Sequence, residues 1–105
     1  MLGQGAIPVS NEKELIENGE ITLDQAYPNP ASTYATISFS LVDAKDVELT
    51  IHDLLGRKLE GLALGFHPAG RHIIRWNTTG YASGPYLYRL RQGNRVITKQ
   101  IIITK

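Results

Sequence analysis

Tyr34-Ala35-Thr36-Ile37-Ser38-Phe39-Ser40-Leu41 decides the fold class. Ala35, Ile37, Phe39 and Leu41 fall on one side of an extended chain, and Thr36, Ser38 and Ser40 on the other. Side chains alternate with this period only in a strand, so the stretch reads as a strand with one buried face. The period recurs downstream. Val47, Leu49 and Ile51 alternate with Glu48, Thr50 and His52. His72, Ile74 and Trp76 form an inward set opposite Arg71, Ile73 and Arg75, and Tyr86, Tyr88 and Leu90 share a side. Residues 57–62 and 63–66 supply two shorter apolar pieces. The closing strand, residues 95–104, is apolar on both sides at Ile101-Ile102-Ile103, which predicts cover on both faces.

Turn residues punctuate these strands. Asp53-Leu54-Leu55-Gly56, Pro68-Ala69-Gly70, the stretch from Thr79 to Gly84, and Gln92-Gly93-Asn94 each bring a residue type suited to reversing the chain. About seven short strands with turns at this spacing predict an all-β, immunoglobulin-like antiparallel β-sandwich. The sandwich domain is expected over residues 23–105. Residues 1–22 read as a linker or tail with a short helix, in which Asn11 caps and Glu14 reaches back three residues later.

Composition narrows the function. The chain has 105 residues, enough for one domain with a modest core. Its formal net charge of +1 suggests neither a nucleic-acid surface nor a polybasic membrane patch. Acidic residues gather early (Glu12, Glu14, Glu17, Glu20) and basic ones late (Arg71, Arg75, Arg89, Arg91, Arg95, Lys99, Lys105). The chain has no cysteine, which rules out disulfides and thiolate chemistry. No apolar run reaches the roughly 20 residues of a membrane helix, so no membrane insertion is expected. Met1-Leu2-Gly3-Gln4-Gly5 lacks the pattern of an export peptide, so such a peptide is expected on a longer parent chain, with Met1 introduced by cloning.

The sequence predicts no reactive constellation. His52, His67 and His72 lack metal-ligand spacing, and Asp43, Asp46 and Asp53 do not form a calcium loop. Ser83 precedes Gly84 and a strand, unlike a nucleophile elbow. Asn77-Thr78-Thr79 matches a glycosylation acceptor, a match too short to carry weight. The expectation is therefore no enzyme, no cofactor and no metal. The aromatic residues leave one binding alternative open, a sugar-stacking platform at Trp76, Tyr81 and Tyr86.

Five blocks, in order, resemble a known family. Leu23-Asp24-Gln25-Ala26-Tyr27-Pro28-Asn29-Pro30 resembles the opening signature of the type A C-terminal sorting domains of the type IX (Por) secretion system of Bacteroidetes. Asp53-Leu54-Leu55-Gly56-Arg57 resembles the central turn of that family, and the run from Gly70 to Trp76 resembles its tryptophan-ending strand. Gly84-Pro85-Tyr86 resembles the following glycine–tyrosine block, and residues 99–105 resemble the final basic–apolar–basic strand. Ala31, His52 and Pro85 depart from the residues common at those places; Pro85 lacks an amide donor and is expected at a strand start or an edge.

The resemblance implies a function. The domain would direct a larger cargo protein across the outer membrane, passing through the periplasm to the cell surface or medium. Its partners would be the type IX translocon, an upstream cargo domain and a sortase-like peptidase cutting in the linker before Leu23. Lys99, Ile101, Ile103 and Lys105, in the final basic–apolar–basic stretch, are the expected signal elements, and the export reading is preferred because the likeness ends flush with the chain terminus. The alternative is a passive or carbohydrate-binding immunoglobulin-like accessory module of a secreted enzyme.

Overall fold

The alternating stretch from Tyr34 to Leu41 forms the middle strand of one sheet in the computed structural model, which describes residues 21–105. The helix expected within residues 1–22 lies outside the described residues. Seven strands follow in order: β1 (Ile21–Leu23), β2 (Tyr34–Leu41), β3 (Lys45–His52), β4 (Lys58–His67), β5 (Gly70–Asn77), β6 (Gly84–Gln92) and β7 (Arg95–Ile103). They make two antiparallel sheets, β1-β2-β5 and β4-β3-β6-β7. A constant-type immunoglobulin sandwich hangs its fourth strand on the first sheet. Here β4 pairs with β3 instead, which leaves three strands facing four.

The inward sets read from the sequence are the core. Ala35, Ile37 and Phe39 from β2 meet Leu49 and Ile51 from β3 and Tyr88 and Leu90 from β6, all at 0% exposure. Trp76 is equally buried, and His72 and Ile74 are half-buried on the same face of β5. Opposite them Ile73 stands exposed.

Three details differ from the sequence reading. The two pieces expected at 57–62 and 63–66 belong to a single strand, β4, which begins at Lys58 and ends at His67. Its two breaks of register with β3, between Leu49 and Thr50 and between Ile51 and His52, are bulges that bend the strand without ending it. Ile21–Leu23 is also a strand, with Ile21 and Leu23 buried; three residues are too few to display a period. Finally, β7 is an edge strand. Ile101 and Ile103 are buried, but Ile102 on the outer face is only half-buried, so the expected cover is complete on one face alone.

Pro85 sits where its missing donor does no harm. It is the second residue of β6, and β3 pairs with β6 only from Leu87 onward. On its other side it faces Ile102, whose amide and carbonyl point away from β6 toward residues 29 and 31.

Candidate functional site

The opening signature and the closing strand, far apart in sequence, are in contact. Residues 24–27 first run beside β2. Asp24 N donates to Ser38 O at 2.9 Å, Tyr27 N to Thr36 O at 3.1 Å, and Thr36 N returns a bond to Tyr27 O at 2.7 Å. The segment then crosses to the other sheet. Ile102 N donates to Asn29 Oδ1 at 3.0 Å, Ala31 N to Ile102 O at 2.8 Å, and Thr104 N to Ala31 O at 2.8 Å. Gln25 Nε2 adds a bond to Gln100 O at 3.2 Å. One short segment thus closes the upper edge of β7 and stitches the two sheets together.

The composition of this segment suits the task. Pro28 and Pro30 offer no amide that would need a partner on a non-strand path, and the Tyr27–Pro28 and Asn29–Pro30 bonds are both cis. Asn29 supplies a side-chain oxygen in place of a backbone carbonyl. Ala31, where a larger residue is common in the family signature, is 1% exposed and bridges Ile103 in parallel. Tyr88 anchors the segment from below. Its hydroxyl donates to Asp24 O at 3.0 Å and accepts from Ala26 N at 2.7 Å, filling two backbone groups with one buried side chain. Burial raises the Tyr88 pKa.

The terminal lysine is clasped. Lys105 Nζ donates to Ser32 O at 2.7 Å and Thr78 O at 2.6 Å, and its amide donates to Ser83 Oγ at 2.9 Å. Thr78, 0% exposed, completes the knot through bonds from its amide to Thr33 O and from its hydroxyl to Ser32 O. Of the four expected signal residues, Ile101 and Ile103 are core, Lys105 is tied to backbone carbonyls, and Lys99 is half-buried with no ion-pair partner among the described residues. Sequence reasoning missed Ser32, Thr78, Ser83 and Tyr88 in this role. Contacts between residues so distant in the chain leave no local pattern, and Thr78 had registered only within a glycosylation match.

The other signature blocks build turns and packing. Asp53 Oδ1 accepts from Leu55 N and Arg57 N, each at 2.9 Å, and Oδ2 accepts from Arg57 Nε at 2.7 Å. The Arg57 amide, more than any other group, holds the Asp53 carboxyl below its ordinary pKa. Gly56 takes φ +88° at this turn, a conformation that disfavours any side chain. His52 lies beside the turn, buried on the outer sheet face, with both ring nitrogens satisfied. Nδ1 donates to Gly56 O at 3.2 Å, so Nε2 accepts from the Thr50 hydroxyl at 2.8 Å. Gly70, where β5 begins, has φ +118°.

At one end of the sandwich Trp76, Tyr81 and Tyr86 pack edge to face, with centroids 4.9 to 6.3 Å apart. Glu60 Oε1 accepts from Trp76 Nε1 at 3.3 Å and from Tyr81 Oη at 2.6 Å, and Tyr86 Oη donates back to Ala82 O. Burial, then the bond to Glu60, pushes the Tyr81 pKa up to about 12. Trp76 is fully buried, so its face cannot stack on a sugar. Among the described residues no group of three or more His, Cys, Asp or Glu side chains gathers to hold a metal, and no helix is long and apolar enough to cross a membrane.

The features define a small all-β sandwich whose signature residues serve turns, packing and the closure of the terminal strand. The sequence profile of one family, the secretion system C-terminal sorting domain, matches residues 25–104, and the chain belongs to that family. Such domains are the C-terminal sorting signals by which type IX secretion exports its cargo proteins, and they are not catalysts. Membership implies attachment to an upstream cargo, interaction with the secretion machinery, and a secreted or cell-surface fate. No curated protein matches the chain.

Proposed function

We propose that the folded domain is read in the periplasm by the type IX translocon through the terminal strand and the segment strapped to it. A sortase-like peptidase then cuts in the linker before Leu23, releasing the cargo or leaving it on the cell surface. The observation that carries this reading is the bonding of Asn29 and Ala31 to Ile102 and Thr104, which joins the two ends of the family signature into one surface. Within that surface Ile101 and Ile103 act by holding β7 in place, because both are buried; Lys99 offers the accessible charge.

The test is a reporter carrying an export peptide, fused ahead of residues 1–105, in a bacterium with a working type IX system. Lys99→Ala and a version lacking residues 99–105 serve as comparisons. Secretion is expected from the intact domain, reduced secretion from Lys99→Ala and none from the truncation. Equal secretion from all three would defeat the proposal.

A further inference from the structure

Charge is segregated along the chain. Every Asp and Glu lies at or before Glu60, whereas Arg71, Arg75, Arg89, Arg91, Arg95, Lys99 and Lys105 all follow it. The fold gathers the last five of these cations on and beside the β6–β7 hairpin, which contains no acid.

The lower half of β7 also has an open edge. Ile102 directs its amide and carbonyl away from β6, as its bonds to Asn29 and Ala31 demonstrate. In an antiparallel pair this outward direction recurs at every second residue, so it holds for Gln100, Thr98 and Val96. The carbonyl of Gln100 is taken by Gln25. The outward groups of Thr98 and Val96 have no partner among the described residues. β7 pairs with β6 over nine residues without a bulge, so this edge is straight.

The other edges are less suitable. β4 is bulged and carries Gly65 at φ +102°. β1 is three residues long. β5 is regular, but its cations are engaged: Arg71 pairs with Asp24 at 2.7 Å, and Arg75 lies 4.0 Å over the Tyr34 ring. Arg95 and Lys99 have no ion-pair partner among the described residues. They share the inner-face parity of β7 with Ile97 between them.

From the open backbone and these two cations we infer that residues 95–99 are a docking edge for an acidic extended segment of a partner protein. The partner adds a strand to the sheet, with backbone bonds to Val96 and Thr98. Its side chains alternate so that carboxylates meet Arg95 and Lys99 and an apolar residue meets Ile97. The proposal deepens the export reading, on which it rests for the identity of the partner, the secretion machinery. The strap over Ile102 and Thr104 stops the added strand from running to the chain end.

The probe is the capped peptide Thr-Glu-Thr-Val-Thr-Glu-Thr, a palindrome that presents the same pattern in either direction. Titrated into the ¹⁵N-labelled chain 1–105, it is expected to shift the Val96 and Thr98 amides and slow their hydrogen exchange. The peptide with lysine in place of both glutamates is expected not to bind. Lys99→Glu should weaken binding by about tenfold, since reversing one charge of a paired edge replaces attraction with repulsion. Thr98→Pro removes only an outward donor and leaves the β6 ladder whole, so it should abolish binding in a domain that still melts cooperatively. Equal binding of both peptides, shifts at β5 instead of β7, or slow exchange at Val96 and Thr98 before any peptide is added would each overturn the proposal. So would normal secretion of the reporter fused to Thr98→Pro, a result that leaves the export reading standing.

Discussion

β4 and β7 are the two edges of one sheet, and they are protected in opposite ways. β4 carries its protection locally, in two bulges and in glycines at positions 61 and 65, and most of its side chains are exposed. β7 is regular and apolar at its end, and its upper half is closed by Asn29 and Ala31. An edge guarded by its own sequence tolerates change elsewhere in the chain. An edge guarded by a distant segment does not. The terminal strand is therefore well formed only where the opening signature is intact, a physical reason for the two to occur together in one sorting signal.

The contrast can be broken most forcefully at Ile103. Ile103→Ala removes a fully buried side chain beneath Ala31, and chemical denaturation should report a loss of about 2–5 kcal/mol. Next comes Tyr88→Phe, which strips the partner from Asp24 O and Ala26 N while keeping the ring; about 1–3 kcal/mol is expected, with the loss concentrated in the strap. Asn29→Ala frees one edge amide, Ile102 N, and should cost about 1 kcal/mol. On β4, Leu64→Ala changes an exposed side chain and should move stability by no more than about 0.5 kcal/mol. A β4 substitution as damaging as Ile103→Ala would contradict the contrast.

A pH experiment sharpens it away from both edges. Tyr81 holds its proton more tightly folded than unfolded, with a pKa pushed from 10.0 to about 12. Above pH 10 the unfolded chain ionises this hydroxyl first, so its contribution is whole below pH 10 and is lost as pH rises toward 12. Tm should fall across that window in the parent domain and fall less in Tyr81→Phe, measured alongside Tyr absorbance.

How much of this was legible depends on distance along the chain. The alternation of Ala35, Ile37, Phe39 and Leu41, and of Val47, Leu49 and Ile51, announces buried faces because burial repeats every second residue. Gly61 and Gly65 make β4 look broken, since a bulge and a strand end use the same residue type. Ile21 and Leu23 are core residues in a strand too short to display its period. The turn from Asp53 to Arg57 was readable as a turn, but not the bonds from His52 to Gly56 and Thr50 that secure it. The site itself was legible only as separate blocks. Tyr88 reaching Asp24, Asn29 reaching Ile102 and Lys105 reaching Ser32 are contacts between residues that share no local pattern, and the fold alone brings them together.

Amide hydrogen exchange at β7 tests the joined-ends account most directly. In the parent domain the Ile102 and Thr104 amides should be protected, whereas those of Val96 and Thr98 exchange quickly. In Asn29→Ala, Ile102 should lose its protection while the core amides of β6 keep theirs. Fast exchange at Ile102 and Thr104 in the parent domain, or no change at Ile102 on losing Asn29, would contradict the claim that the opening signature closes the terminal strand.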